Sequence, residues 1–280
     1  MWKQKIGISV GNHYNMPTEQ LVGVLKNIGF EGVSLEWEKD VDIKKVIAAA
    51  RESGLEIISL HAPFSKMNWM WQRPLGEDEY PLDGLLASLK VCYQEKISTL
   101  VVHTWIGFDY EDQPNEIGFE NYGKLVDQAK EWGIHIAFEN TEGGEFLAAL
   151  MEHFEGDENV GFCWDSGHEM CYNHSEDLLK KFGQRLLVTH LNDNLGISRF
   201  SGETFWHDDL HLLPYDGIAD WEENIARLKA SKPLEYLNFE LNISSKPNRH
   251  DNDLYQKMTL EEYFTEAYKR ACRIAYRYSM

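Results

Sequence analysis

Seven times along this 280-residue chain a short apolar run ends on an ionisable residue, with a small or uncharged residue two positions before it. The pairs are Ser34–Glu36, Ser59–His61, Val101–His103, Ala137–Glu139, Cys163–Asp165, Val188–His190 and Asn238–Glu240. Alternate side chains of a strand point to opposite faces, so each pair shares one face. The other face carries Ile6, Ile8, Val33, Leu35, Ile58, Leu60, Ile136, Phe138, Phe162, Trp164, Leu237 and Phe239, a set suited to packing under helices. A buried, unpaired charge costs on the order of several kcal/mol. Seven of them fit one fold only if their strands close around a common mouth, where the charges meet each other or a cation.

Helical stretches separate the runs. Strand-like segments at 5–10, 32–37, 56–63, 99–105, 135–141, 160–165, 186–192 and 236–242 alternate with helical ones at 18–28, 42–52, 82–94, 121–132, 145–154, 176–182, 221–229 and 258–276. Eight strand–helix units predict an α/β fold, a single (β/α)8 TIM barrel over residues 1–280 as one domain. The longest breaks, near 64–80, 106–117 and 193–217, all follow strands, where such a barrel builds its active face.

Four cysteines, Cys92, Cys163, Cys171 and Cys272, form no CxxC pair, so a reduced, cytoplasmic setting is expected. The opening MWKQKIGISV does not read as a signal peptide, and no apolar run approaches the roughly 18 residues of a membrane span. A net charge of −19 argues against nucleic acid and anionic membranes as partners.

The stretch VGFCWDSGHEMCYN places His168 one turn after Asp165, and HDDLH adds Asp209 and His211. Oxygen and nitrogen donors without cysteine suit Zn, Mn, Co or Mg; Cys163 lies deeper and reads as core. The expected active-face loops carry Trp37, Trp69, Trp71, Trp105 and Trp206, candidate walls for a sugar. Their basic residues are few (Lys39, Lys66, Arg73, Arg199, Lys246, Arg249), whereas the fourth loop holds Asp109, Glu111, Asp112 and Glu116. A DNA-binding face normally shows a basic stripe. Glu36, Trp105, Glu145 and Arg199 are the candidate substrate contacts on these loops, with Glu142 beside Glu145 and His13 in the first loop. His135 begins its strand and belongs at the opposite end; His153, His174 and His250 read as surface.

The segments ISLHAP (58–63), VVHTW (101–105), IAFENT (136–141), GFCWDSGH (161–168), THLNDN (189–194), DLHLLPYDG (209–217) and NFELN (238–242) resemble the xylose-isomerase-like barrel superfamily. That superfamily includes sugar phosphate isomerases/epimerases and endonuclease IV. The resemblance to its epimerase-like members implies one divalent metal held by Glu139, Asp165, His190 and Glu240. The two glutamates would serve as acid and base, and His168 would contact a sugar oxygen. The resemblance to the endonuclease-like members implies three zinc ions, with His61, His103, His168, Asp209 and His211 as further ligands. The expected function is a divalent-metal-dependent sugar or sugar-phosphate isomerase/epimerase, moving a proton next to a carbonyl through a metal-stabilised enediolate. The alternatives are a zinc phosphodiesterase of the endonuclease IV kind and a polyol or keto-inositol dehydratase. The expected partner is a small sugar, and homo-oligomerisation stays open.

Overall fold

The computed structural model describes residues 4–11, 14–39, 41–73, 80–107, 112–198 and 206–280. Strand β1 (Lys5–Val10) leads to helix α1 (Thr18–Ile28), β2 (Gly32–Glu36) to α2 (Ile43–Glu52), β3 (Glu56–His61) to α3 (Pro81–Glu95), and β4 (Thr99–His103) to α4 (Glu116–Trp132). Then β5 (His135–Glu139) leads to α5 (Gly144–His153), and β6 (Val160–Asp165) to two short helices, α6 (Ser166–Cys171) and α7 (Leu178–Phe182). Strand β7 (Leu186–His190) precedes α8 (Trp221–Ala230), and β8 (Tyr236–Phe239) precedes α9 (Leu260–Ser279). The strands run parallel in the order β7-β6-β5-β4-β3-β2-β1-β8.

Side-chain bonds complete the ring between β7 and β8. Thr189 Oγ1 donates to the Asn238 carbonyl at 3.1 Å and accepts the Asn238 N–H at 3.0 Å. The Leu191 N–H donates to the Asn238 carbonyl at 2.9 Å. The result is the (β/α)8 barrel that the alternation predicts. Among the described residues no helix is long and apolar enough to cross a membrane.

The two faces of the strands make two separate cores. The large one, between sheet and helices, holds Ile6, Ile8, Val33, Leu35, Leu60, Ile136, Phe138, Phe162, Trp164, Leu237 and Phe239. The small one, inside the barrel, consists of Val101, Ala137, Cys163 and Val188, with Leu187 against it. Cys163 packs in this inner core, and its thiol also stands with Glu139 and His190 in one group of possible ligand atoms.

Ile58 departs from the predicted pattern. The β2–β3 register shifts after Val33, which pairs with Ile57, while Ser34 pairs with Ser59. The skipped residue, Ile58, turns into the barrel instead of toward the helices. Two glycines make room for it: a Cβ on Gly7 would lie 2.1 Å from Ile58 Cδ1, and one on Gly32 would lie 2.8 Å from Cγ1. The β6–β7 register shifts in the same way, and Leu187 there occupies the space beside Gly161. Gly7→Ala is expected to destabilise the fold by about 1–3 kcal/mol through overpacking. Adding Ile58→Val, which removes Cδ1, should recover part of that loss. Denaturant unfolding of the single and double variants checks it; equal stability of Gly7→Ala and the parent would refute the packing account.

Candidate metal centre

Each strand end delivers its ionisable side chain to the same mouth. Glu139, Asp165 and His190 are fully buried. Together with Glu240 they bring ligand atoms within 4.8 Å of one another. Three further groups meet the same measure: His61 and His103 with Glu139, Cys163 and His190 with Glu139, and His168 and His211 with Asp165. The first strand ends without a charge for a steric reason. It runs out at Gly11, where a Cβ would fall 1.9 Å from Glu36 Oε2, so Glu36 leans across from β2.

The histidines are held in a telling way. His61 Nδ1 donates to the Ala62 carbonyl at 2.8 Å, since a carbonyl can only accept. In the neutral ring Nε2 is then a lone pair, yet it faces Glu139 Oε2 at 3.0 Å. His168 donates from Nδ1 to the Asn140 carbonyl at 2.9 Å and turns Nε2 to Asp209 Oδ1 at 3.5 Å. His211 donates from Nδ1 to the Glu240 carbonyl at 3.1 Å, and its Nε2 lies 2.8 Å from the same Asp209 oxygen. Three times, a lone pair and a carboxylate oxygen point at each other. That arrangement repels unless a proton or a metal ion lies between. A backbone carbonyl on one ring nitrogen, with the other free to ligate, is how proteins fix metal-binding histidines. His190 faces both Glu139 Oε1 at 2.9 Å and Glu240 Oε2 at 3.0 Å through Nδ1, and its buried Nε2 has no hydrogen-bond partner. The donors therefore fit a divalent cation bound through nitrogen and oxygen.

The electrostatics tell the same story. Burial works against charging His190 and His168, but Cys163, Glu240 and Glu139 around the first, and Asp165, Asp209 and Glu139 around the second, hold both well above the ordinary imidazole range. His211, against the same burial, is carried up to about 9, chiefly by Asp209. Burial would raise the Glu139 carboxyl; His190 and His103 outweigh it and hold it well below the usual carboxylate range. Glu240 is likewise pulled down to about 2 against burial, first by His190.

Short local bonds fix this geometry. Asp165 caps α6 by accepting the His168 N–H at 2.7 Å. Asn192 Nδ2 donates to both Asp165 oxygens, at 3.1 and 3.0 Å, over Gly167, where a Cβ would strike Asn192 Oδ1 at 1.9 Å. Asn140 clamps the Asp165 backbone, accepting its N–H at 2.8 Å and donating to its carbonyl at 2.9 Å. The loop carrying Asp209 and His211 is tied down by buried Asp193. That carboxylate accepts from the Asn194, Tyr215 and Ala219 N–H groups and from the Trp221 indole.

Above the cluster opens a cavity of about 560 Å³. Glu36, His61, His103, His168, Asp209, His211 and Glu240 line it, as does Glu142. Its aromatic walls are Phe64, Tyr172 and Trp206. Among the described lining residues Lys246 is the one Lys or Arg; its Nζ lies 3.3 Å from Asp209 Oδ2 and 5.8 Å over the Trp206 ring.

Several expected contacts sit elsewhere. Trp105 does not line the cavity; it is buried and stacks on Phe146 with centroids 4.1 Å apart. Trp71 is buried, with its indole N–H on the Thr104 carbonyl, Trp69 lies under Lys66, and Trp37 packs on the outer core. Trp206 alone of the five tryptophans reaches the cavity. Glu145 is exposed in the first turn of α5, away from the lining residues. Arg199, His13, Asp109 and Glu111 lie outside the described residues. Glu139, expected as an acid or base, is sealed below the cavity: His190 covers one oxygen, and His61 and His103 cover the other at 3.0 and 3.2 Å. His153, His174 and His250 are exposed, as expected. Phe64, Tyr172, Asn140 and Asn192 are not ionisable strand-end residues, although Asn140, Asn192 and Tyr172 lie inside IAFENT, THLNDN and VGFCWDSGHEMCYN. Of these, Asn192 was within reach of the face rule, two residues beyond His190.

The model of the family described as xylose isomerase-like TIM barrel matches residues 22–258. An uncharacterized protein, y4fM of Sinorhizobium fredii, is 26% identical over 270 residues, covering 81% of this chain and 82% of the relative. Among solved structures, D-psicose 3-epimerase from Clostridium cellulolyticum H10, determined with D-tagatose, superposes with a TM-score of 0.70 at 14% identity, over 98% of this chain and 99% of the other. An AP endonuclease, family 2, from Brucella melitensis superposes with a TM-score of 0.61 at 14% identity, over 85% and 93%. At such identities the structural likeness is one of fold. The family match spans most of the chain, and the protein belongs to the xylose isomerase-like TIM barrel family.

Proposed function

We propose that the protein is a divalent-metal-dependent isomerase or epimerase of a small sugar, acting on the hydrogen beside the carbonyl. The observation that carries this reading is the cluster of Glu139, Asp165, His190 and Glu240 at the floor of a small cavity whose walls are aromatic and acidic. Those four residues would hold the ion, and His61, His103, His168, Asp209 and His211 offer further donors. The ion, when bound, supplies positive charge beside the substrate carbonyl oxygen. Glu240 reaches the cavity and would take the proton from carbon. His168 and Glu36 stand at the wall where a hydroxyl can be bound, and Trp206, Phe64 and Tyr172 offer faces for the C–H side of a sugar.

One observation favours a second reading. Besides Glu139 with Cys163 and His190, the nitrogen and oxygen donors fall into three overlapping groups, Glu139 with His61 and His103, the central four, and Asp165 with His168 and His211. A three-ion phosphodiesterase would use such groups. Against it stands the scarcity of lysine and arginine: among the described lining residues Lys246, beside Asp209, is the one such side chain. A polyanionic substrate needs more positive charge than that.

Incubation in deuterated water with D-psicose, D-tagatose and D-fructose tests the proposal. The metal-loaded protein is expected to place deuterium at the carbon beside the carbonyl, and chelator-treated protein to lose that exchange. Nicking of abasic-site DNA with no exchange in any ketose would replace the isomerase by the phosphodiesterase.

A further inference from the structure

Proton exchange at carbon with inversion needs two acid–base groups, one on each side of the carbon, and both must reach the substrate. Glu240 lines the cavity; Glu139 does not, and both of its oxygens face imidazoles. The other lining carboxyls differ in their freedom. Asp209 faces His211, His168 and Lys246. Glu36 fills the space over Gly11.

Glu142 is different. It lines the cavity, yet it is only 7% exposed. Among the described residues no other side chain hydrogen-bonds its carboxyl, which accepts from its own backbone N–H. The segment around it is rigid. Thr141 Oγ1 donates to the Trp105 carbonyl at 3.0 Å, and Asn173 Nδ2 donates to the Thr141 carbonyl at 2.9 Å. Gly143 follows in the left-handed region at φ 69°, where a Cβ would meet Phe146 and Trp105 at 2.7 and 2.8 Å. Buried Trp105 thus backs the turn that presents Glu142. Glu142 follows β5 and Glu240 follows β8, and both line the same cavity.

We propose that Glu142 is the second catalytic proton carrier, paired with Glu240 in the wall of the same cavity, a role that rests on the isomerase reading above. In the forward step the Glu240 carboxylate takes the proton: the C–H bond breaks, an O–H bond forms, and the electron pair moves into a C–C double bond as the carbonyl pair passes to oxygen. The protonated Glu142 then gives its proton to the other face of the same carbon, and the carbonyl re-forms. One carboxylate has gained a proton and the other has lost one. The site suits that task, because burial pushes the Glu142 carboxyl up to about 7, against the opposing effect of its backbone N–H. The charged groups acting on it are His168, Asp209 and Lys246. A carboxyl that titrates near the working pH can both give and take a proton.

The experiment compares the parent, Glu142→Gln, Glu142→Asp and Glu155→Gln, all at matched metal content. Each is incubated with D-psicose, D-tagatose and D-fructose in deuterated water, and affinity for the exchanging ketose is measured by calorimetry. Glu142→Gln should slow epimerisation at least about 100-fold while changing affinity less than about threefold. Glu142→Asp should restore part of the rate, with its pH profile displaced from the parent's. Glu155→Gln, on the exposed surface, should match the parent. A Glu142→Gln rate within about threefold of the parent, or a loss wholly explained by affinity or metal content, overturns the assignment while the isomerase reading survives. A parent that exchanges none of the ketoses overturns the isomerase reading, and the role of Glu142 with it.

Discussion

Glu139→Gln is expected to lose its bound divalent ion. The carboxylate is fully buried, and four histidines converge on it, His190 at 2.9 Å, His61 at 3.0 Å, His103 at 3.2 Å and His168 at 3.6 Å. It belongs to the four-residue cluster, to the group with His61 and His103 and to the group with Cys163 and His190, so one substitution removes a donor from all three. Gln keeps the shape but replaces one oxygen by an N–H₂ group and removes the charge that offsets the metal ion. Removing one partner from a buried charge pair costs about 3–5 kcal/mol. That is roughly a 150- to 5,000-fold loss of metal affinity. Chelator-competition titration of the stripped protein measures it directly, with no substrate needed. Because the ion binds only the folded state, the parent should gain about 2.7 kcal/mol of stability at a hundredfold excess over its dissociation constant, and the variant almost none. Unchanged metal affinity in Glu139→Gln would remove Glu139 from the metal site.

The barrel and the centre were readable for one physical reason. Strand alternation is local, and burial of a charge is costly enough that its repetition carries meaning. Alternation marks seven inward ionisable residues at the strand ends; the family resemblance is what singles out Glu139, Asp165, His190 and Glu240 among them. What escaped the reading is set by non-local contacts. Ile58 changes face because β3 slips against β2, and nothing in EIISLH announces the slip. Helix α6, only six residues long, starts directly from the Asp165 cap and leaves no periodic pattern. The strands end earlier than the apolar runs because pairing stops while the chain continues over the mouth. The tryptophans misled for a similar reason: an indole is as well suited to filling the space behind a loop as to facing a sugar. Trp105 and Trp71 take the first role, whereas Trp206 lines the cavity. Glu142 and Glu145 are three residues apart in sequence. The left-handed turn at Gly143 lies between them, leaving Glu142 in the cavity wall and Glu145 on the exposed start of α5.

Glu240→Gln is expected to retain much of the fold and lose most of the chemistry. Unlike Glu139, Glu240 lines the cavity, with its side chain 17% exposed. One carboxylate oxygen faces His190 Nδ1 at 3.0 Å, and its backbone carbonyl accepts from His211, a contact that the substitution leaves intact. Gln can still meet His190 but cannot take a proton from carbon. Losing a positioned base costs about 10²- to 10⁴-fold in rate. The residue is also a proposed ligand, so a lost metal ion would mimic a lost base. The two are separated by measuring at saturating metal, with bound metal quantified on the same sample. Exchange of the ketose hydrogen should stay at least about 100-fold below the parent even when the variant is fully loaded. Glu240→Asp, which keeps a carboxylate on a shorter arm, should recover part of the rate. If loaded Glu240→Gln exchanges the hydrogen at the parental rate, Glu240 is a ligand alone. The base must then be sought among the remaining lining carboxylates, Glu36, Glu142 and Asp209.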